Sequence, residues 1–162
     1  MKGVRPPARF LLQHPAHFYA LGFGSGLAPV APGTFGTLVA IPIAVVLWTV
    51  GSDASFVAAV LLLGLLGVWA AQVTGRSLGV PDHGAIVCDE VVAFLLILFF
   101  TGPDPLPILV AFFLFRLFDV VKPPPIRFFD VRWKNGWGVM FDDLLAALYT
   151  LLVLALIRWW LA

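Results

Sequence analysis

CDEVVAFLLILFF, residues 88–100, decides the fold. Asp89 and Glu90 stand directly against an unbroken apolar run, with the breaker segment TGPDP (101–105) behind it. A carboxylate beside a bilayer is costly unless it is paired, hydrated or bound to a cation, so an acid in this position is a functional candidate from the outset. The pattern repeats. Asp119 closes the apolar run that begins near Leu106, and Asp142 and Asp143 open the one that ends near Trp159. Three acidic groups at corresponding ends of apolar runs predict a single metal-binding pocket assembled from separate helices.

The composition agrees with a membrane setting. Of 162 residues, 61% are hydrophobic and only 12% charged, with a mean hydropathy of +1.01. The charged share is about half that of a soluble globular domain. The chain therefore reads as an all-α, polytopic membrane bundle forming one domain over residues 1–162. A net charge of +1 gives no reason to invoke nucleic acid, and the lone Cys88 excludes an internal disulfide framework. No signal peptide, internal repeat or low-complexity tract is expected.

Five spans are predicted: Thr37–Val50, Phe56 to about Thr74, Ala85–Phe100, Leu106 to about Val121, and Val139 to Trp159. Before them, residues 1–20 read as a short amphipathic interfacial segment, and the Gly/Pro-rich stretch 22–36 as an irregular loop. Pro123-Pro124-Pro125 stops the fourth span, and 126–138 reads as polar loop. With the N-terminus inside, Lys2, Arg5, Arg9, Arg76, Lys122, Arg127, Arg132 and Lys134 share one side, with Arg116 leading to it. Arg158 alone lies opposite. The positive-inside rule then predicts that this face is cytoplasmic.

Four segments carry candidate chemistry. In the loop 22–36, Thr34 could cap the following helix and offer its N-terminus to a phosphate. In DHGAIVCDE (82–90), Asp82 reads as an N-cap and His83 as a loop residue, while Asp89 and Glu90 suit Mg²⁺, a hard cation that takes carboxylates together with water and phosphate oxygens. In the third segment, Arg116, Asp119 and Lys122 step by three along a helix end. A forked guanidinium beside an ammonium is a phosphate grip, although an Arg116–Asp119 pair within the helix accounts for the same spacing. In NGWGVMFDD (135–143), Asp142 and Asp143 are metal candidates, against the simpler role of complementing a helix dipole. Together these residues ask for a phosphoanion held by Arg116 and Lys122 and a metal between carboxylates, one of which orients water for in-line attack. Cysteine-phosphatase, D-x-D, G-x-S-x-G and H-E-x-x-H chemistries have no matching motif.

The order GFGSGLAPVAPGTFGTL, DHGAIVCDEVVAF, FRLFDVVKPPPIRFFD and NGWGVMFDDLLAAL resembles the phosphatidylglycerophosphatase A family over most of residues 20–148. It departs from the family pattern at Cys88 and at the third proline, Pro125. The resemblance implies an all-helical, Mg²⁺-dependent hydrolase of the bacterial inner membrane with a cytoplasm-facing site. Its substrate would be an anionic phospholipid, phosphatidylglycerophosphate, which loses its terminal phosphate to become phosphatidylglycerol. The carried-over metal and catalytic positions are Asp89, Glu90, Asp119, Asp142 and Asp143, and the substrate-binding positions are Thr34, Arg116 and Lys122. Two alternatives remain: a phosphatase of another lipid phosphate, such as phosphatidic acid or an isoprenyl phosphate, and a small ion transporter using the acidic cluster. The residues do not fix an oligomeric state.

Overall fold

The computed structural model describes residues 4–161, which form helices joined by short turns with no strand among them. Lys2, counted above with the interfacial segment, lies outside this range. A short 3-10 helix, Ala8–Leu12, leads to α1 (Pro15–Ala20) and a kinked 3-10 stretch, Gly22–Leu27. The long helices follow: α2 (Pro32–Val50), α3 (Asp53–Leu78), α4 (Cys88–Thr101), α5 (Pro105–Val121) and α7 (Gly136–Leu161), with the short α6 (Ile126–Arg132) before α7.

Helix α4 is the axis of the bundle. It packs against α2, α3, α5 and α7, and its residues from Cys88 to Leu98 are nearly all buried. Small side chains let the neighbours approach: Gly36, Ala40 and Ala44 lie buried on α2, Ala70 and Ala71 on α3, and Ala146 and Ala147 on α7. Lipid tails are as apolar as leucine, so close packing rather than dewetting holds such helices together. Outward-facing leucines such as Leu61, Leu65 and Leu152 are left exposed. Three helices are long and apolar enough to cross a membrane, namely α2, α3 and α7. With 14 and 17 residues, α4 and α5 rise only about 21 and 26 Å.

Several boundaries differ from the sequence expectation for identifiable reasons. Helix α2 begins at Pro32 rather than Thr37, because proline suits the first helical turn. Its N-cap is Ala31, in the left-handed conformation, and no side chain caps it, so Thr34 is not the cap. Helix α4 begins at Cys88, not Ala85. Residues 79–87 form turns in which the buried His83 accepts a hydrogen bond at Nδ1 from the Ala85 N–H (3.1 Å), so Asp82 caps no helix there. Residues 126–132, read as loop, fold as α6.

The N-terminal segment is not one continuous amphipathic helix, because Pro15 divides it. Instead it folds back onto α3. His17 shares a 2.9 Å hydrogen bond with Thr74 and stacks on Phe10, and the Tyr19 hydroxyl donates to the Leu63 carbonyl at 2.7 Å. Helix α7 opens three residues before the expected Val139. The Asn135 side chain accepts from the Gly138 N–H (3.0 Å) and Gln72 of α3 accepts from the Gly136 N–H (2.9 Å).

Candidate active site

At the end of the bundle where α2, α4 and α7 begin and α5 ends lies a cavity of about 310 Å³. Its walls carry six carboxylates, those of Asp82, Asp89, Glu90, Asp119, Asp142 and Asp143, and two cations, Arg116 and Lys122. The backbone of Ala31, Pro32, Gly33 and Gly84 completes it.

Each group arrives by a local device. Asp89 and Glu90 occupy the first turn of α4, which lifts them to the rim of the apolar core. Asp142 and Asp143 are the seventh and eighth residues of α7, beyond the first turn to which dipole stabilisation is confined. Lys122 ends α5 in the left-handed conformation (φ +47°), where Pro123 forbids further helix. A left-handed non-glycine residue costs roughly 1–2 kcal/mol. Among the described residues three non-glycines adopt positive φ, and two of them, Ala31 and Lys122, line this cavity. Gly33 passes so close to the cluster that a Cβ there would collide with a Glu90 carboxylate oxygen and crowd the Arg116 guanidinium.

The cations are shared out among the acids. Arg116 Nη1 lies 2.6 Å from Asp119 Oδ2 and 3.6 Å from Glu90 Oε1, the first being the intrahelical pair that the spacing allowed. Lys122 Nζ pairs with Asp142 and, at 3.0 Å, with Asp130. Lys134 bridges Asp82 (3.2 Å) and Asp130 (3.7 Å) at the mouth. Burial by itself would lower the Lys122 pKa, but the charges of Asp142 and Asp130 outweigh it and hold the ammonium well above its usual range. Asp130 shows the converse. Its partial burial is outweighed by Lys122 and Lys134, and its carboxyl titrates below the ordinary carboxylate value. The pair's contribution is therefore complete between about pH 4 and pH 10, fading in acid through Asp130 and in base through Lys122.

Two cations do not answer six acids. Carboxylate atoms of Asp89, Glu90 and Asp143 all lie within 4.8 Å of one another. Buried oxygens of these three side chains and of Asp142 have no hydrogen-bond partner. An anionic cluster this dry repels itself unless a cation joins it, and an all-oxygen set suits a hard divalent ion. The donor set therefore fits a metal held by Asp89, Glu90 and Asp143. The Arg116 Nε–H is also buried without an acceptor.

Of the sequence-predicted residues, Asp89, Glu90, Arg116, Asp119, Lys122, Asp142 and Asp143 line this one cavity. Thr34 does not. It lies in the first turn of α2, half-buried, outside the polar wall. Two residues outside the predicted set belong here as well: Asp82 lines the cavity and Asp130 anchors Lys122.

Fold and site together define an all-helical, membrane-type bundle with a carboxylate-rich, cation-braced pocket at one end. The family model described as Phosphatidylglycerophosphatase A matches residues 18–158. The protein of that name from Haemophilus influenzae is 42% identical over 96% of both chains, and its namesake from Escherichia coli is 37% identical over 86% of this chain and 81% of its own. A Bacteroides thetaiotaomicron protein provisionally named a phosphatidylinositol-3-phosphatase is 38% identical over 85% of this chain and 90% of its own. No solved structure matches significantly. This chain belongs to the phosphatidylglycerophosphatase A family.

Proposed function

We propose that residues 1–162 act as one membrane-embedded lipid phosphatase. It would remove the terminal phosphate of phosphatidylglycerophosphate to give phosphatidylglycerol in phospholipid biosynthesis, with Mg²⁺ as cofactor. One observation carries the reading: six carboxylates and only two cations converge on one cavity beside an apolar bundle. That is the arrangement needed to hold a divalent ion against a phosphoanion.

Asp89, Glu90 and Asp143 would hold the ion. Once bound, it neutralises charge on the phosphoryl oxygens. The remaining roles belong to the chain. Arg116 turns its free Nε–H toward the phosphate, and Glu90 and Asp119 fix its guanidinium plane. Lys122, anchored by Asp142 and Asp130, stays charged and contributes a fixed positive field rather than a proton. Asp119 and Asp142 lie outside the close carboxylate trio and orient the attacking water. Gly33 supplies bare backbone where a side chain would push Glu90 aside.

The test is phosphate release by purified protein from a panel of lipid phosphates, with and without EDTA. Preference for phosphatidylglycerophosphate, abolished by EDTA and restored by Mg²⁺, is expected. Equal turnover of all the lipids, or full activity in EDTA, would sink the reading. The name of the Bacteroides relative favours one second reading, the same chemistry on a different lipid headgroup, and the panel separates the two. An ion-transport role is disfavoured because the carboxylates gather at one end and none marks a midplane relay.

For topology we propose five crossings in the bacterial inner membrane, with α4 and α5 completing the bundle and the pocket facing the cytoplasm. Nine of the ten Lys and Arg residues lie on or lead to the pocket side in that arrangement. Cysteines introduced at positions 53 or 104 should then be labelled from outside the cell. Labelling at 134 from outside overturns it.

A further inference from the structure

The largest cavity among those described carries no charge. It is an apolar groove of about 530 Å³ between α2 and α5, both of which pack on α4. Leu38, Ile41, Val45 and Trp48 form its α2 wall, and Leu109, Phe112 and Phe113 line the facing side of α5. Val45, Leu109 and Phe113 are about half exposed or more, so this concave surface is not filled by the chain itself.

Both walls lead toward the polar pocket. Residues three and four apart share a helix face. On α5, Leu109, Phe112 and Phe113 therefore continue to Arg116 and then to Val120, both of which line the charged cavity. On α2, Trp48, Val45, Ile41 and Leu38 step back to Thr34, one residue past the Gly33 that touches Glu90. The groove thus starts about one helical turn from the polar pocket, at Leu38 and Phe113, and ends at Thr49, Pro103 and Pro105. Its lining runs from Pro105 to Phe113 on α5, about 12 Å, and from Leu38 to Thr49 on α2, about 16 Å. A single leaflet's hydrocarbon is about 15 Å deep, half of the bilayer core. A groove of that length, apolar throughout and one helical turn from the phosphate site along the same faces of α2 and α5, fits one acyl chain of a phospholipid whose phosphomonoester sits among Arg116, Lys122 and the carboxylates.

We infer that the α2–α5 groove holds an acyl chain of the substrate, so that the enzyme takes its lipid sideways from the leaflet. Thr34 then stands at the threshold between headgroup and chain. This inference rests on the lipid-phosphatase reading above but can be tested apart from it. A phospholipid with a photoactivatable diazirine on one chain is incorporated into vesicles with the purified full-length protein, in two forms, one with a phosphomonoester headgroup and one with phosphocholine. Crosslinked peptides are then mapped by mass spectrometry, which requires no turnover. The phosphomonoester form is expected to label α2 and α5 peptides of the groove, and phosphocholine to label outward faces such as that of α3 around Leu61 and Leu65. Equal groove labelling by both lipids would make the groove a site for bulk lipid, and labelling of the phosphomonoester form spread over all exposed faces would remove it. Either result overturns the inference.

A kinetic arm sharpens the assignment. Leu109→Trp, which fills the groove, should lower the ratio of kcat/KM for a long-chain substrate to that for a water-soluble short-chain analogue by about tenfold or more, the scale of a lost apolar subsite. Leu152→Trp, in the separate apolar cleft between α4 and α7 at the far end, should leave that ratio at the wild-type value. An unchanged ratio in Leu109→Trp overturns the inference. If instead the wild-type protein releases no phosphate from any lipid while the groove still labels selectively, the catalytic reading fails and the binding inference stands.

Discussion

Helices α3 and α7 are the two longest in the molecule, 26 residues each, and they pack against one another. Both are apolar and both turn most of their surface outward. They treat aspartate in opposite ways. Asp53 is the first residue of α3, exposed beside a Ser52–Ser55 capping box, and makes no ion pair among the described residues. There it favours the helix dipole and nothing more. Asp142 and Asp143 lie two turns inside α7, buried to 5% and 3% exposure, against acids from α4 and α5. Burial against other acids, not residue type, separates a cap from a ligand. An exposed acid at a helix start is solvated, whereas acids buried together, in the first turn of α4 or two turns into α7, need a cation.

The sharpest way to break this contrast is to neutralise one acid of each kind. Asp143→Asn should lower phosphate release by at least about 100-fold, since even outer-shell partners of a metal cost 10- to 100-fold. Asp53→Asn should stay within about twofold, a surface change far from the site. If Asp143→Asn keeps its activity while Mg²⁺ dependence persists, the buried carboxylate is not a ligand.

Next in size is the grip on the phosphate. A charge-assisted contact contributes about 1.5–3 kcal/mol, so Arg116→Lys, which keeps charge but loses the fork, should cost roughly 10- to 100-fold in kcat/KM. Mg²⁺ affinity, measured by calorimetry on the same variant, should change little. A loss of Mg²⁺ binding as severe as in Asp143→Asn would make Arg116 a structural partner of the acids.

The smallest expected change sets a glycine at the site against one on α3. Gly33→Ala should reduce kcat/KM by about tenfold, because the methyl must displace the Glu90 carboxylate and 1 Å misplacements at a reacting centre are expensive. Helix stability should not suffer, as alanine is the better helix former. At Gly64 of α3 an added methyl meets only Val92, at an ordinary 3.6 Å. Gly64→Ala should leave activity within about twofold, and comparable losses in the two variants would show that the effect at Gly33 is general packing.

The site acids were legible because each interrupts or borders an apolar run, although the exposed Asp53 and Asp104 border such runs too and only the fold separates them. The Arg116–Asp119 relation was equally legible, since three-residue spacing on a helix dictates contact whatever the rest of the fold does. Closure of the pocket was not legible. Asp130 reaches Lys122 only because α5 ends in a left-handed residue and α6 folds the chain back, and a seven-residue helix is too short to be stable without tertiary packing. Asp82 looked like a cap because capping depends on a helix start that the turn at 79–87 moves to Cys88. Thr34 failed as a cap for a related reason, since Pro32 had already opened the helix.

The C-terminal end of α7 works as a depth gauge. Trp159 and Trp160 are almost fully exposed there, and paired indoles settle at a membrane–water boundary. Counting back 16 residues from Trp159 to Asp143 gives about 24 Å, so the proposed crossing of a hydrocarbon layer about 30 Å thick would put the carboxylates some 6 Å below the opposite boundary. That is just beneath the level at which lipid headgroups lie. A thicker host membrane would sink the site away from those headgroups, and turnover in vesicles of lengthening chain lipids should fall once mismatch exceeds what helix tilt absorbs. In that arrangement membrane thickness would act as a control on turnover, read along a single helix.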